Sequence, residues 1–351
     1  VAVPKSGYVG GRINDYSSWG PTLDGRMKPE VSAPGGTILS TYPVSKGSWA
    51  VLSGTSMAAP YMAGVGALFF SSRGGREALG GDSVKVARDR VIASARSIKH
   101  NDGSGNEASV GKQGAGLIDV QKIIESGTTI SPAYLELNDT VHFSGSHEVV
   151  LTNSNDDSVT YKLTHQPGIT TFTFTSSNAW VALEPKYSTA EDDVAKVSMS
   201  AEEVVLDAKA SVTVKFDFTE PAAPDSSLLP VYGGKVLISG SNGEVVLLTY
   251  LGKFFHHWSF FQYIIPCPSN KYYFLKGIKG SIYDAQSWEM DRGVPLLLSG
   301  YGGVMEEGHV YTYEDGSDVP QPYFNILWST REMSFDVSPC FFGHFHSLNH
   351  S

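Results

Sequence analysis

The chain is poor in cysteine, in basic charge and in long apolar runs, and each shortage narrows what it can be. Only Cys267 and Cys340 occur among 351 residues, too few for a disulfide framework or a thiolate metal cluster. Acidic residues outnumber basic ones, 36 against 26, for a net charge of -10. A nucleic-acid partner needs a basic face to neutralise phosphates, so none is expected. No run approaches the roughly 18 apolar residues of a membrane span. The first residue is Val1 and no charged-then-apolar leader follows it, so further chain is expected upstream. What the sequence does have is 37 glycines and 18 prolines, the mark of many turns. Its length accommodates two or three domains.

Residues 1–127 mix Gly/Pro turns with helical spacing. Val84, Ala87, Val91, Ile92 and Ala95 predict an amphipathic helix over Ser83–Ala95. A second is predicted at Leu117–Ile124, after Gly114-Ala115-Gly116. Beyond Ser131-Pro132 the period changes to two. Val212, Val214, Phe216 and Phe218 alternate with polar residues, as do Val159, Tyr161 and Leu163, and Phe172 and Phe174. Further strand-like runs lie at Tyr134–Leu137, Glu148–Leu151, Lys235–Ser239 and Glu244–Leu251. About seven strands separated by turn residues read as an antiparallel β-sandwich.

The block that carries chemistry is Leu52-Ser53-Gly54-Thr55-Ser56-Met57-Ala58-Ala59-Pro60-Tyr61-Met62-Ala63-Gly64. A turn on Gly54 leads into a helix containing Ser56. Pro60 is placed early in that helix, where its missing N–H would have no partner anyway. Ala58, Ala59, Ala63, Gly64, Gly66 and Ala67 keep the helix thin, so it is expected to lie buried against a sheet. A hydroxyl at such a helix start has its own backbone N–H and the helix dipole available to a developing oxyanion.

This block resembles the nucleophile motif of the subtilase family of serine proteases. Ile13-Asn14-Asp15-Tyr16-Ser17-Ser18-Trp19-Gly20-Pro21 and Lys28-Pro29-Glu30-Val31-Ser32-Ala33-Pro34-Gly35 are similar to the strands that precede the motif in that family. Gly114-Ala115-Gly116-Leu117-Ile118-Asp119 is similar to the segment closing the catalytic domain. Many subtilases have histidine where this chain has Tyr61; tyrosine there points to the large extracellular branch. Residues 131–251 look like the fibronectin type III-like sandwich of that branch.

The resemblance implies an α/β segment at 1–127, the C-terminal part of a subtilisin-like parallel-sheet domain. An all-β sandwich would follow at 128–337. It implies a secreted endopeptidase acting on proteins or peptides, with Ser56 as nucleophile. It leaves room for calcium, which many subtilases hold, but identifies no ligand here; no other cofactor is implied, and oligomeric state is not indicated.

Subtilases place Asp, then His, before Ser, and all ten histidines here follow Ser56. Both partners and the oxyanion asparagine are therefore expected upstream. A serine without a base is a poor nucleophile at neutral pH, so the chain alone is expected to be inactive. The competing reading is a non-catalytic fragment, either a β-sandwich binding module or a truncated gene model.

Nine of the 24 residues from Lys253 to Lys276 are aromatic. Their composition reads as an intron-derived insert, with an aromatic membrane- or substrate-gripping loop as the alternative. The tail at 338–351 has the same character. His256-His257 lack further ligands at zinc spacing. Asn138-Asp139-Thr140 is a glycosylation sequon. Asp156-Asp157 and Glu191-Asp192-Asp193 read as solvated loop charges, with calcium ligation as the alternative. His100 reads as a solvated loop residue, and Trp19 and Trp49 as core or turn packing.

Overall fold

A computed structural model describes residues 10–254, apart from 23–24, 101–104, 175–180 and 223, and beyond them only six short strands. The chain divides into two compact units, Val1–His256 and His257–Ser351.

The first part of the larger unit opens with a hairpin, β1 (Ile38–Thr41) and β2 (Trp49–Leu52). Five helices follow: α1 (Thr55–Ser72), α2 (Gly75–Leu79), α3 (Ser83–Ala93), α4 (Val110–Gln113) and α5 (Val120–Glu125). Val65 and Phe69 of α1, Val91 of α3, Ile118 just ahead of α5 and Ile123 within it form one small core. Ile13, Ile98 and Ala108 form another.

The expected parallel sheet is only sketched. Among the described residues of this part, parallel pairing is confined to two isolated bridges, Arg12 with Lys99 and Ser32 with Leu117. Gly114 (φ 65°) and Gly116 (φ 125°) lead into the Ser32–Leu117 contact. A Cβ on Gly116 would lie 2.1 Å from the Arg96 carbonyl oxygen, so only glycine lets Leu117 lie between Ser32 and Arg96.

The second part is built from β3 (Thr128–Ser131), β4 (Tyr134–Asn138), β5 (Ser146–Asn153), β6 (Val159–Pro167), β7 (Thr170–Phe174), β8 (Val181–Ser188), β9 (Lys196–Met199), β10 (Glu203–Leu206), β11 (Ser211–Thr219), β12 (Pro230–Gly240) and β13 (Val245–Lys253). One sheet has the order β3-β5-β11-β9. The other runs β10-β6-β12-β13-β4, with β7 on β12 and β8 on β7. Every pairing is antiparallel except β13 with β4, which is parallel.

The period-two pattern holds in two strands: Val214, Phe216 and Phe218 turn inward from β11, and Val159, Tyr161 and Leu163 from β6. In β7 it does not, since Thr170 and Thr171 are buried with Phe174 while Phe172 is half-buried. The layers meet where the Phe218 ring lies 4.8 Å from that of Tyr250 and the Thr128 hydroxyl 3.0 Å from that of Tyr161. In β12 and β13 almost every residue is buried. Their second face is covered by α3 and α4, which is why Val245–Leu251 reads as a near-continuous apolar run.

The two parts of this unit are joined by buried polar groups. In α3 the Asp89 carboxylate accepts from the Ser131 hydroxyl (2.8 Å) and the Ala133 N–H (3.1 Å). Arg90 donates to the Thr128 carbonyl (2.8 Å) and to that of Ser126; burial lowers its guanidinium pKa to about 10. Arg88 bonds Glu30 at 2.5 Å and lies 4.5 Å from the Tyr134 ring centroid. Of the apolar face that periodicity predicted, Val91, Ile92 and Ala95 are buried and Ala87 is half-buried. Val84 is instead 62% exposed, and Asp89 and Arg90 are buried as well, because the sandwich side offers them the Ser131 hydroxyl, the Ala133 N–H and two carbonyls. The first part is thus docked on the sandwich.

Helix α5 starts at Val120, not Leu117. Leu117 and Ile118 give their backbone groups to Arg96 and Ser32, and Asp119 caps the helix by accepting from the Lys122 N–H at 3.2 Å.

In the second unit the described strands form three antiparallel pairs. They are β14 (Tyr263–Pro266) with β15 (Tyr272–Leu275), β16 (Ile282–Tyr283) with β17 (Met290–Asp291), and β18 (Leu296–Leu298) with β19 (Gln321–Tyr323). Strand β13 runs through Lys253, the first residue of the aromatic stretch, and the Phe254 N–H donates to the Pro230 carbonyl at 3.0 Å. Apart from β14 and β15, the rest of that stretch lies outside the described residues, as do His256-His257, Cys267, Cys340 and 338–351.

Candidate active site

Ser56 is the second residue of α1, an 18-residue helix whose N-cap is Gly54. Gly54 has φ 154° and ψ 166°, a backbone region reserved in practice for glycine. The turn is held from two sides. The Gly54 N–H donates to the Gly35 carbonyl (2.8 Å), and the Thr37 N–H to the Ser53 hydroxyl (2.7 Å). A Cβ on Gly35 would lie 2.7 Å from the Gly54 oxygen and 3.2 Å from the Ala58 Cβ. The Ala33-Pro34-Gly35 turn therefore touches the start of α1 backbone to backbone.

The Ser56 side chain is exposed, and its first-turn N–H has no intrahelical acceptor. Pro60 is the sixth residue of the helix, so its missing N–H is the one that would have bonded the Ser56 carbonyl; the sequence placed it one turn too early. The helix is also less buried than its small residues suggested. Only Val65 and Phe69 are buried, whereas Tyr61 is 44% and Leu68 54% exposed. Beside it lies a cavity of about 590 Å³ lined by residues that include Asn14, Pro34, Gly35, Thr55, Ala58 and Met62.

No described histidine bonds Ser56. His100 meets the Tyr187 hydroxyl at 2.8 Å, His142 pairs with Asp139 (2.9 Å), His147 with the Ser144 carbonyl (2.7 Å), and His165 with the Tyr250 hydroxyl (2.8 Å). His100, read from sequence as a solvated loop residue, is half-buried and links the first part to β8. Among the described residues no three His, Cys, Asp or Glu side chains gather into a metal site. Asp156 pairs with Lys209 (2.7 Å) and Glu191 with Lys196 (2.9 Å) on open surface. Trp19 packs in its turn with the Lys112 ammonium 4.7 Å from its ring centroid. Trp49 is neither core nor turn packing but 63% exposed on β2. Asn138 ends β4 with φ 61°.

Sequence reading missed the buried polar residues around α4. The Lys112 ammonium donates to the Asp15 carbonyl (3.1 Å) and to that of Ser17. Lys235 is 2% exposed; it bonds the Ser97 hydroxyl and lies 3.8 Å from Glu107. Burial lowers its pKa to about 8, against the opposing pull of Glu107. The only signal in the sequence was a lysine inside an otherwise apolar strand.

Comparison with known proteins matches residues 5–116 to the subtilase family and residues 135–251 to an Fn3-like domain. The PI-type proteinase of Lactococcus lactis subsp. cremoris is 26% identical over 339 residues, which is 90% of this chain and 16% of that protein. The C5a peptidase of Streptococcus pyogenes serotype M6 is 28% identical over 211 residues, 58% of this chain and 17% of that protein. The chain spans about a sixth of the length of these relatives. Among solved structures, a PapD-like domain of human CEP192 aligns with TM-score 0.27 and 9% identity, covering 37% of this chain and 86% of that one, a likeness too low to bear on the fold.

Proposed function

Because residues 5–116 belong to the subtilase family and residues 135–251 are an Fn3-like domain, we propose that this chain carries the nucleophile of an extracellular serine endopeptidase acting on proteins or peptides. The observation that carries the reading is the presentation of Ser56: an exposed hydroxyl in the first turn of a long helix, on a glycine-only turn braced by Gly35. Ser56 Oγ attacks the scissile carbonyl carbon while a base takes its proton. The leaving amine departs, and water hydrolyses the resulting acyl-enzyme. The Ser56 N–H, at the positive end of the helix dipole, is placed to donate to the oxyanion.

On this reading the base is none of the four described histidines, each of which is bonded elsewhere. The first part is the C-terminal part of a subtilisin-like domain, and the sandwich braces it. In the full natural protein, a fluorophosphonate probe labels Ser56, and Ser56→Ala abolishes the labelling. Labelling that survives Ser56→Ala, or none in the unaltered protein, overturns the proposal.

A further inference from the structure

We propose that Gln113 is a positioning residue that ties the Ser56 turn to the sandwich; its catalytic consequence rests on the peptidase reading, its structural basis does not. Gln113 is fully buried at the end of α4. Its side-chain oxygen accepts from the Ile98 N–H at 2.9 Å, and its side-chain amide donates to the Ala108 carbonyl. Its backbone carbonyl accepts from the Ser32 hydroxyl at 3.0 Å. One residue therefore holds three chain segments together. An apolar side chain here would leave two backbone groups buried and unpaired.

From Ser32 the connection runs along the chain to Gly35, whose carbonyl holds the Gly54 N–H. There is no slack at that step, because Gly35 already touches Gly54 and Ala58 without room for a Cβ. At its other end α4 is seated on β12. A Cβ on Gly233 would lie 3.0 Å from the Val110 Cβ, and one on Gly111 would lie 3.6 Å from the Val231 Cγ1. Lys112 fastens the same helix to the carbonyls of Asp15 and Ser17. A displacement of β12 thus reaches the Ser56 turn through α4, Gln113 and Ser32.

Ser32→Ala tests the link, because it removes the hydroxyl bond to Gln113 and leaves the backbone bonds of Ser32 to Gly116 and Ile118 intact. In the full natural protein, hydrogen exchange at the Gly54 amide and the rate of fluorophosphonate labelling at Ser56 are compared among the unaltered protein, Ser32→Ala and Ser32→Thr. Ser32→Ala is expected to speed Gly54 exchange and slow labelling, each by about tenfold, the scale of one lost hydrogen bond. Ser32→Thr restores both, and amides of β6 and β12 are unchanged. Unaltered Gly54 exchange in Ser32→Ala, or a rise shared equally by the sandwich amides, overturns the proposal. If the unaltered protein is never labelled, the peptidase reading fails, and Gly54 exchange alone still decides the coupling.

Discussion

The sandwich and the segment ahead of it reach their burial by different routes. In the sandwich each strand carries its own inward face, and the two layers supply each other's partner, as Phe216 on β11 and Tyr161 on β6 show by being fully buried. In the segment before it, α1 has apolar residues all round but buries only Val65 and Phe69. Beyond its two small apolar cores, this segment meets the sandwich through charged and polar groups of α3. A region with an internal partner is specified by its own pattern. A region that packs on something else is specified by the partner.

The sharpest way to break this comparison is to remove one large side chain from each region. Phe216→Ala empties a core site at 0% exposure and is expected to cost about 3–5 kcal/mol. Leu68→Ala, at 54% exposure, should stay within about 0.5 kcal/mol. Urea denaturation of both variants checks the pair; similar losses would mean that α1 is covered in solution.

The junction between the regions should respond to pH. Buried Lys235 has its pKa lowered to about 8, from 10.5. Between those values the unfolded chain keeps a proton that the folded chain has released, so stability rises with pH through this window. Below about pH 8 both states hold the proton, and the burial penalty on the ammonium is fully present. Tyr232 and Tyr250, whose hydroxyls burial pushes above the ordinary value of 10.0, act with the opposite sign above pH 10. From about pH 8 to 9.5 the gain should be about 2 kcal/mol. It should be absent in Lys235→Met, read as the shift of the urea midpoint with pH.

A smaller loss than that of Phe216→Ala belongs to a feature the first segment carries by itself. Asp119→Ala removes the α5 cap and is expected to cost about 1 kcal/mol, measured as a lowered Tm with Ser56 labelling unchanged.

Legibility followed the same division. The strands were readable because alternation is local: Val214, Phe216 and Phe218 point one way by the geometry of an extended chain. The site was readable as a turn because Gly54 must be glycine and α1 must follow it. The polar part of the α3 face was not. Val84 counts as apolar wherever it sits, whereas Asp89 and Arg90 could be assigned inward only once Ser131, Ala133 and Thr128 stood opposite. His100, Gln113 and Lys235 were silent for the same reason, since nothing in their neighbourhood along the chain marks a partner that lies elsewhere in it.

The sequence by itself determined the order of elements, the inward face of the sandwich strands and the position of Ser56 at the head of a helix. These follow from steric rules and periodicities spanning a few residues. Only the tertiary structure decided which polar side chains are buried, how α4 connects the sandwich to the Ser56 turn, and that α1 leaves most of its surface exposed. Burial and hydrogen bonding are properties of pairs, and the second member of each pair lies tens of residues away.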